Sequence, residues 1–130
     1  MRTIEIPKAT WVSFLTDLTR NALDRPVRLE VENIEIGDQE MGDKLPLREI
    51  ELEMKGSNAG GLEITVGGRT DELSHRIERP TRLYAQINDS QQIECLSIED
   101  ADNGKTLLFF EELPSLSSDR GAQQEQASAP

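Results

Sequence analysis

The sequence predicts an α+β domain: one N-terminal amphipathic helix packed on a curved antiparallel sheet of about six strands, with a partly closed roll as the expected shape. Three observations carry this. Apolar side chains recur at helical spacing over residues 11–22. From residue 27 to 110 the apolar period falls to two and is broken by Gly, Asn and Asp turns. No further helical pattern alternates with those strands, which excludes a parallel α/β arrangement. Short strands joined by tight turns twist and curl, hence the roll.

A short extended piece, Thr3 to Ile6, opens the chain. Trp11, Phe14, Leu15, Leu18 and Ala22 then form one apolar face of a helix placed at about 8–23. Pro7 suits its first turn, where a missing N–H costs nothing, and Pro26 ends it by pushing Arg25 out of the α region. Val27, Leu29 and Val31 alternate with Arg28, Glu30 and Glu32, a strand with one wet face. The alternation slips at Asn33, where a bulge or strand end is expected before Ile34 and Ile36. Gly37 to Asp43 carries loop chemistry. Leu47, Ile50, Leu52 and Met54 mark a second strand, a Gly-rich turn spans Gly56 to Gly61, and Leu62, Ile64 and Val66 mark a third. Arg69 to Arg79 shows no clear period, and Pro80 argues against a central strand there. Leu83, Ala85 and Ile87 form the fourth strand, Asn88 to Gln91 a turn, and Ile93, Cys95, Leu96 and Ile98 the fifth. Asn103-Gly104 suits a type I′ hairpin. Thr106 to Phe110 is the last strand, and its unbroken Leu107-Leu108-Phe109-Phe110 run predicts burial on both faces or contact with the helix. The expected core is Trp11, Leu15, Leu18, Leu29, Val31, Ile50, Leu52, Ile64, Ile87, Leu96, Leu108 and Phe110.

At 130 residues the chain has room for one domain, placed at residues 1–113. Residues 114–130 hold no large apolar side chain beyond Leu116 and are expected to form a disordered polar tail. With 25 acidic against 14 basic residues the net charge is -11. Surfaces that grip phosphate backbones or anionic membranes are basic, so neither nucleic acid nor membrane is an expected partner. The opening segment has no apolar h-region and no small-residue cleavage site, and the longest apolar run is four residues. Cys95, the sole cysteine, cannot form an internal disulfide and sits among Ile93, Leu96 and Ile98, so an inert, buried or half-buried thiol in a reducing, cytoplasmic setting is expected.

No catalytic constellation is visible. His75 is the sole histidine; its neighbour Ser74 would point to the opposite face of an extended chain, and no G-x-S-x-G elbow is present. The glycine pairs lack the Lys-Ser/Thr of a phosphate-binding loop. Asp100 to Gly104 fits no register of an EF-hand, and one Cys with one His cannot close a zinc site. No metal, no cofactor and no enzymatic activity are expected. The charge is more informative. Residues 27–66 hold ten acidic and four basic residues, and residues 99–130 seven and two. If the first two strands are neighbours, Glu30, Glu32, Glu51 and Glu53 share one wet face, which is either a solubilising surface or a docking face for a basic protein.

The chain also resembles a family of small uncharacterised bacterial proteins known only as a domain of unknown function. The resemblance rests on Ile6-Pro7, Trp11, Phe14-Leu15, Leu29-Glu30-Val31, Gly37-Asp38-Gln39 and Leu45-Pro46-Leu47. It continues through Ile50, Ile64, Val66-Gly67, His75, Ile77, Pro80 and Leu107-Leu108-Phe110, so that it covers about residues 3–110. It implies no catalytic residues. It draws attention to Asp38, Gln39 and His75, which recur in the motif without an obvious packing role. The leading expectation is therefore a non-enzymatic protein-interaction module. The alternative is a small-ligand binder with a pocket between helix and sheet, lined by Trp11 and gated by Asp38, Gln39 or His75.

Overall fold

The structure, a computed structural model, describes residues 2–33, 37–54, 56, 60–68 and 70–115. The chain runs β1 (Arg2–Glu5), a 3₁₀ turn (Lys8–Thr10), α1 (Trp11–Ala22), β2 (Pro26–Asn33), β3 (Gly37–Leu52), β4 (Leu62–Val66), β5 (Leu73–Ile77), β6 (Pro80–Ile87), β7 (Ile93–Asp100) and β8 (Gly104–Phe110). The strands form one antiparallel sheet in the order β1-β6-β7-β8-β2-β3-β4-β5. The α+β class and the single helix against an antiparallel sheet are as the periodicity predicts.

The sheet curls because β3 serves two neighbours. Its first part pairs with β2, from Asn33↔Gly37 to Pro26↔Pro46, and its last part pairs with β4, from Leu47↔Val66 to Leu52↔Leu62. The second wing folds back over the first, bringing His75 Nε2 of β5 to 3.1 Å from Thr106 Oγ1 of β8. β1 and β5 remain as unpaired edges among the described residues, so the roll does not close into a barrel.

The core lies between the wings, with α1 packed against β3. Trp11, Leu15, Leu18 and Ala22 are buried along one helix face, and Trp11 Nε1 donates to the Ile6 carbonyl at 2.9 Å. Asp24, in the left-handed region at φ 67, donates its N–H to the Leu47 carbonyl, and Leu47 N–H donates to Arg25, which fixes the helix exit on β3. Of the expected core, Val31 and Leu52 are only half-buried and the rest is buried. Leu47, Leu83 and Ile98, apolar strand positions outside the expected core, are fully buried as well.

Three local expectations are corrected. Gly37 to Asp43 is strand, not loop. Two bulges, one leaving Met41 and one leaving Lys44 between paired positions, break its alternation, and Lys44 takes φ 59. Leu73–Ile77 is an edge strand with polar residues between its terminal apolar ones, and Pro80 begins the next strand. At the β7–β8 turn only Asn103 is left-handed, φ 66, so the turn is not type I′; Asp100 Oδ1 accepts the N–H groups of Asp102 and Gly104 and fixes it. Pro114 is buried and its carbonyl accepts the Ile93 N–H, so packed chain reaches at least Ser115. β2 ends at Asn33, and a strand end is one of the two alternatives expected there; Ile34 and Ile36 and the tail from residue 116 lie outside the described residues.

Candidate functional site

The register fixes which side chains share the outer face of the first wing, because directly paired residues point to the same side. One row runs Glu5, Tyr84, Ser97, Leu107, Glu30 and Glu40 across β1, β6, β7, β8, β2 and β3. The next runs Arg82, Glu99, Lys105, Glu32 and Asp38. On the other side lie Gln86, Cys95, Phe109, Arg28 and Asp43.

Two features of this face stand out. Tyr84, Leu107 and Phe109 are half-buried at its centre, and neither Leu107 nor Phe109 belongs to the core cluster or packs against it. The apolar run of β8 therefore alternates after all. Thr106, Leu108 and Phe110 point into the core, while Leu107 and Phe109 occupy outer positions usually given to polar residues. Second, among the described residues the face carries seven carboxylates, on Glu5, Glu30, Glu32, Asp38, Glu40, Asp43 and Glu99, against three cations, on Arg28, Arg82 and Lys105. Glu30 sits directly opposite Glu40, and Glu32 opposite Asp38. Like charges opposite one another destabilise a sheet. Arg28 bridges Glu30 at 2.9 Å, and its guanidinium carbon lies 4.1 Å from the Phe109 ring centroid.

The four expected acidic residues are not brought together. Glu30 and Glu32 lie on this face, but Glu51 is eleven positions beyond Glu40 along β3, about 35 Å of strand path. Glu51 pairs with Glu63 on the second wing, and Glu53 is held by Arg76 at 2.6 Å. The partners that Glu30 and Glu32 do find, Glu40 and Asp38, were hidden in the stretch that carries loop chemistry. Tyr84, Leu107 and Phe109 were missed as site residues; the unbroken apolar run in β8 was the available signal for two of them.

The remaining candidates are scattered. Trp11 is 1% exposed and is mainly a core residue. One edge of it lines a groove of about 350 Å³ with Lys8, Val12, Leu52 and Met54, where Val12 and Met54 are exposed. Asp38 is exposed beside Glu32 and Lys105 in a shallow depression of about 270 Å³. Gln39 is exposed on β3 opposite Val31. His75 is half-buried at the far end of the roll. Burial holds its imidazole below the ordinary value, with the Asp100 carboxylate pulling the other way. Thr106, whose hydroxyl it meets, is a buried residue, 2% exposed. Burial pushes the Cys95 thiol up to about 11, so it is mostly protonated at neutral pH. Among the described residues no group of three or more His, Cys, Asp or Glu is placed to hold a metal ion.

An antiparallel sheet with one N-terminal helix packed against it and an acidic outer face defines a small α+β protein. The chain belongs to a family of unknown function, DUF5335, whose model matches residues 2–119. The fold is similar to that in the crystal structure of the Bacillus subtilis YojF protein, with a TM-score of 0.50 and 14% identity over 88% of this chain and 97% of that one. No curated protein matches the chain. No helix among the described residues is long and apolar enough to cross a membrane.

Proposed function

We propose that the protein is a non-enzymatic interaction module of the cytoplasm that offers the outer face of β6, β7, β8, β2 and β3 to a basic protein surface. The observation that supports this most is the pairing of Glu30 with Glu40 and of Glu32 with Asp38 beside half-buried Leu107 and Phe109. A purely solubilising face needs neither directly opposed carboxylates nor apolar residues at its centre. A cationic partner relieves the first and covers the second. The test is association with a panel of purified basic and acidic proteins at low and at high salt. Binding of basic members that weakens as salt rises, and that is lost in a Glu30→Lys/Glu40→Lys variant, supports the reading; no salt-sensitive binding ends it.

A second reading rests on the groove beside Trp11. Its volume of about 350 Å³ falls at the small end of ligand sites, and Val12, Leu52 and Met54 make it apolar. Thermal-shift measurements against metabolites address it, since a ligand at 100 times its dissociation constant adds about 2.7 kcal/mol. A shift that disappears in Val12→Asp favours the ligand reading.

A further inference from the structure

Both aromatic side chains of the outer face already meet an arginine, Phe109 through its ring and Tyr84 through its hydroxyl. The Arg28 guanidinium lies over Phe109 and bridges Glu30, while Arg82 donates to the Tyr84 hydroxyl at 3.5 Å and pairs with Glu5 at 3.5 Å. Lys105, the third cation, is placed by the register between Glu32 and Glu99, two positions along β8 from the Tyr84 row and four from the Phe109 row. At Phe109 the face sets an aromatic ring beside a carboxylate, Glu30, and a guanidinium occupies that combination; the Tyr84 ring and Leu107 offer further flat surface beside Glu5 and Glu30. A guanidinium is planar, weakly hydrated and able to stack while it donates to a carboxylate; an ammonium is a compact, strongly hydrated point charge.

We infer that the partner segment is arginine-bearing, with guanidinium groups that lie against Leu107 and the Tyr84 ring as they donate to the carboxylates of the face, Glu30, Glu40, Glu32 and Asp38 among them, and a bulky apolar side chain packed beside them. This rests on the interaction reading above and deepens it. A second copy of the chain does not fit the same face, because self-association would set acidic rows against acidic rows. Lysine-rich segments of equal charge bind the same carboxylates but gain little from the rings.

The test uses the full-length protein and two fluorescent peptides of the same length and charge, one with Arg and Leu, the other with Lys and Leu, read by anisotropy at low salt. The arginine peptide is expected to bind about fivefold tighter, the equivalent of ~1 kcal/mol of guanidinium stacking at a partly exposed site. In Tyr84→Ser and Leu107→Ser, checked by circular dichroism to be folded, the preference is expected to fall to near unity while binding stays salt-sensitive. In Asp38→Asn/Glu40→Gln both peptides weaken together. Equal affinity of the two peptides for the wild type overturns the arginine inference and leaves the acidic docking face standing. No binding of either peptide overturns both. A preference that survives both serine substitutions also overturns it, because the Tyr84 ring and Leu107 would then have no part in the discrimination.

Discussion

Trp11 and His75 show how a single side chain divides between packing and apparent function. Trp11 is buried and its indole N–H is matched to the Ile6 carbonyl at 2.9 Å. Replacing it with Phe keeps most of the apolar contact but orphans that carbonyl, so Trp11→Phe should cost about 1–3 kcal/mol in urea unfolding. A cost within error of zero would show that water reaches the Ile6 carbonyl. His75 makes a prediction about pH. Burial holds its imidazole below the ordinary value of 6.5. Between the folded value and 6.5 the unfolded chain binds more protons than the native one, so stability rises with pH through that window. The stability His75 confers is therefore fully present above pH 6.5 and is lost as pH falls through the folded value. Urea melts of the wild type and of His75→Gln at several pH values down from 7.5 isolate this residue, because the other groups titrate alike in both. The wild type should lose more stability on acidification than the variant; parallel curves would show that the imidazole stays fully hydrated in the native state.

At the scale of elements, what holds the roll in shape is a few backbone positions. Gly67 leaves β4 at φ 113, and a Cβ there would run into the Asp71 carbonyl and come within 2.9 Å of the Glu72 Cα. Gly37 opens β3 at φ 79 with nothing within 4 Å of the corresponding Cβ. Alanine at Gly37 should cost only the left-handed backbone penalty, about 1–2 kcal/mol, whereas alanine at Gly67 adds a backbone clash and should cost clearly more. Thermal melts of the two variants compare them directly; equal costs would mean that the β4–β5 turn yields easily. The same elements show why part of the fold was legible and part was not. The helix announced itself because Trp11, Leu15, Leu18 and Ala22 need a single buried stripe. Strands β2, β4 and β6 did so because one face is core and the other wet. The first half of β3 was illegible because its bulges at Met41 and Lys44 destroy the period, and β5 because an edge strand can carry Ser, His and Arg. The site suffered from the same gap: without β3 in register, Glu40 and Asp38 could not be set against Glu30 and Glu32, and Glu51 and Glu53 were drawn in instead. Its apolar centre was half visible, as a β8 run too apolar for a strand with one wet face.

For the molecule as a whole the governing quantity is the net charge of -11 and its uneven placement. Opposed carboxylates on neighbouring strands repel most strongly when little salt screens them, with a Debye length of about 30 Å at 0.01 M and ~3 Å at 1 M. The isolated protein should therefore become more stable as sodium chloride is added, the reverse of what a protein held by surface ion pairs would do. Arg28–Glu30 and Arg82–Glu5 are such pairs on the same face and weaken with salt, but exposed pairs contribute at most about 1 kcal/mol each, and the carboxylates outnumber the cations. Melting temperature should rise with salt in the wild type and rise less in Asp38→Asn/Glu40→Gln, which removes both opposed pairs. Association with a basic partner must respond in the opposite sense, because screening that relieves repulsion within the face also weakens attraction across the interface. The two measurements on one preparation constrain each other. Stability that rises with salt while binding falls locates both effects in the same carboxylates, and the double variant should then blunt both slopes. If it blunts only the stability slope, the acidic lattice on β2 and β3 serves to keep the chain apart from its neighbours, and the partner must dock elsewhere.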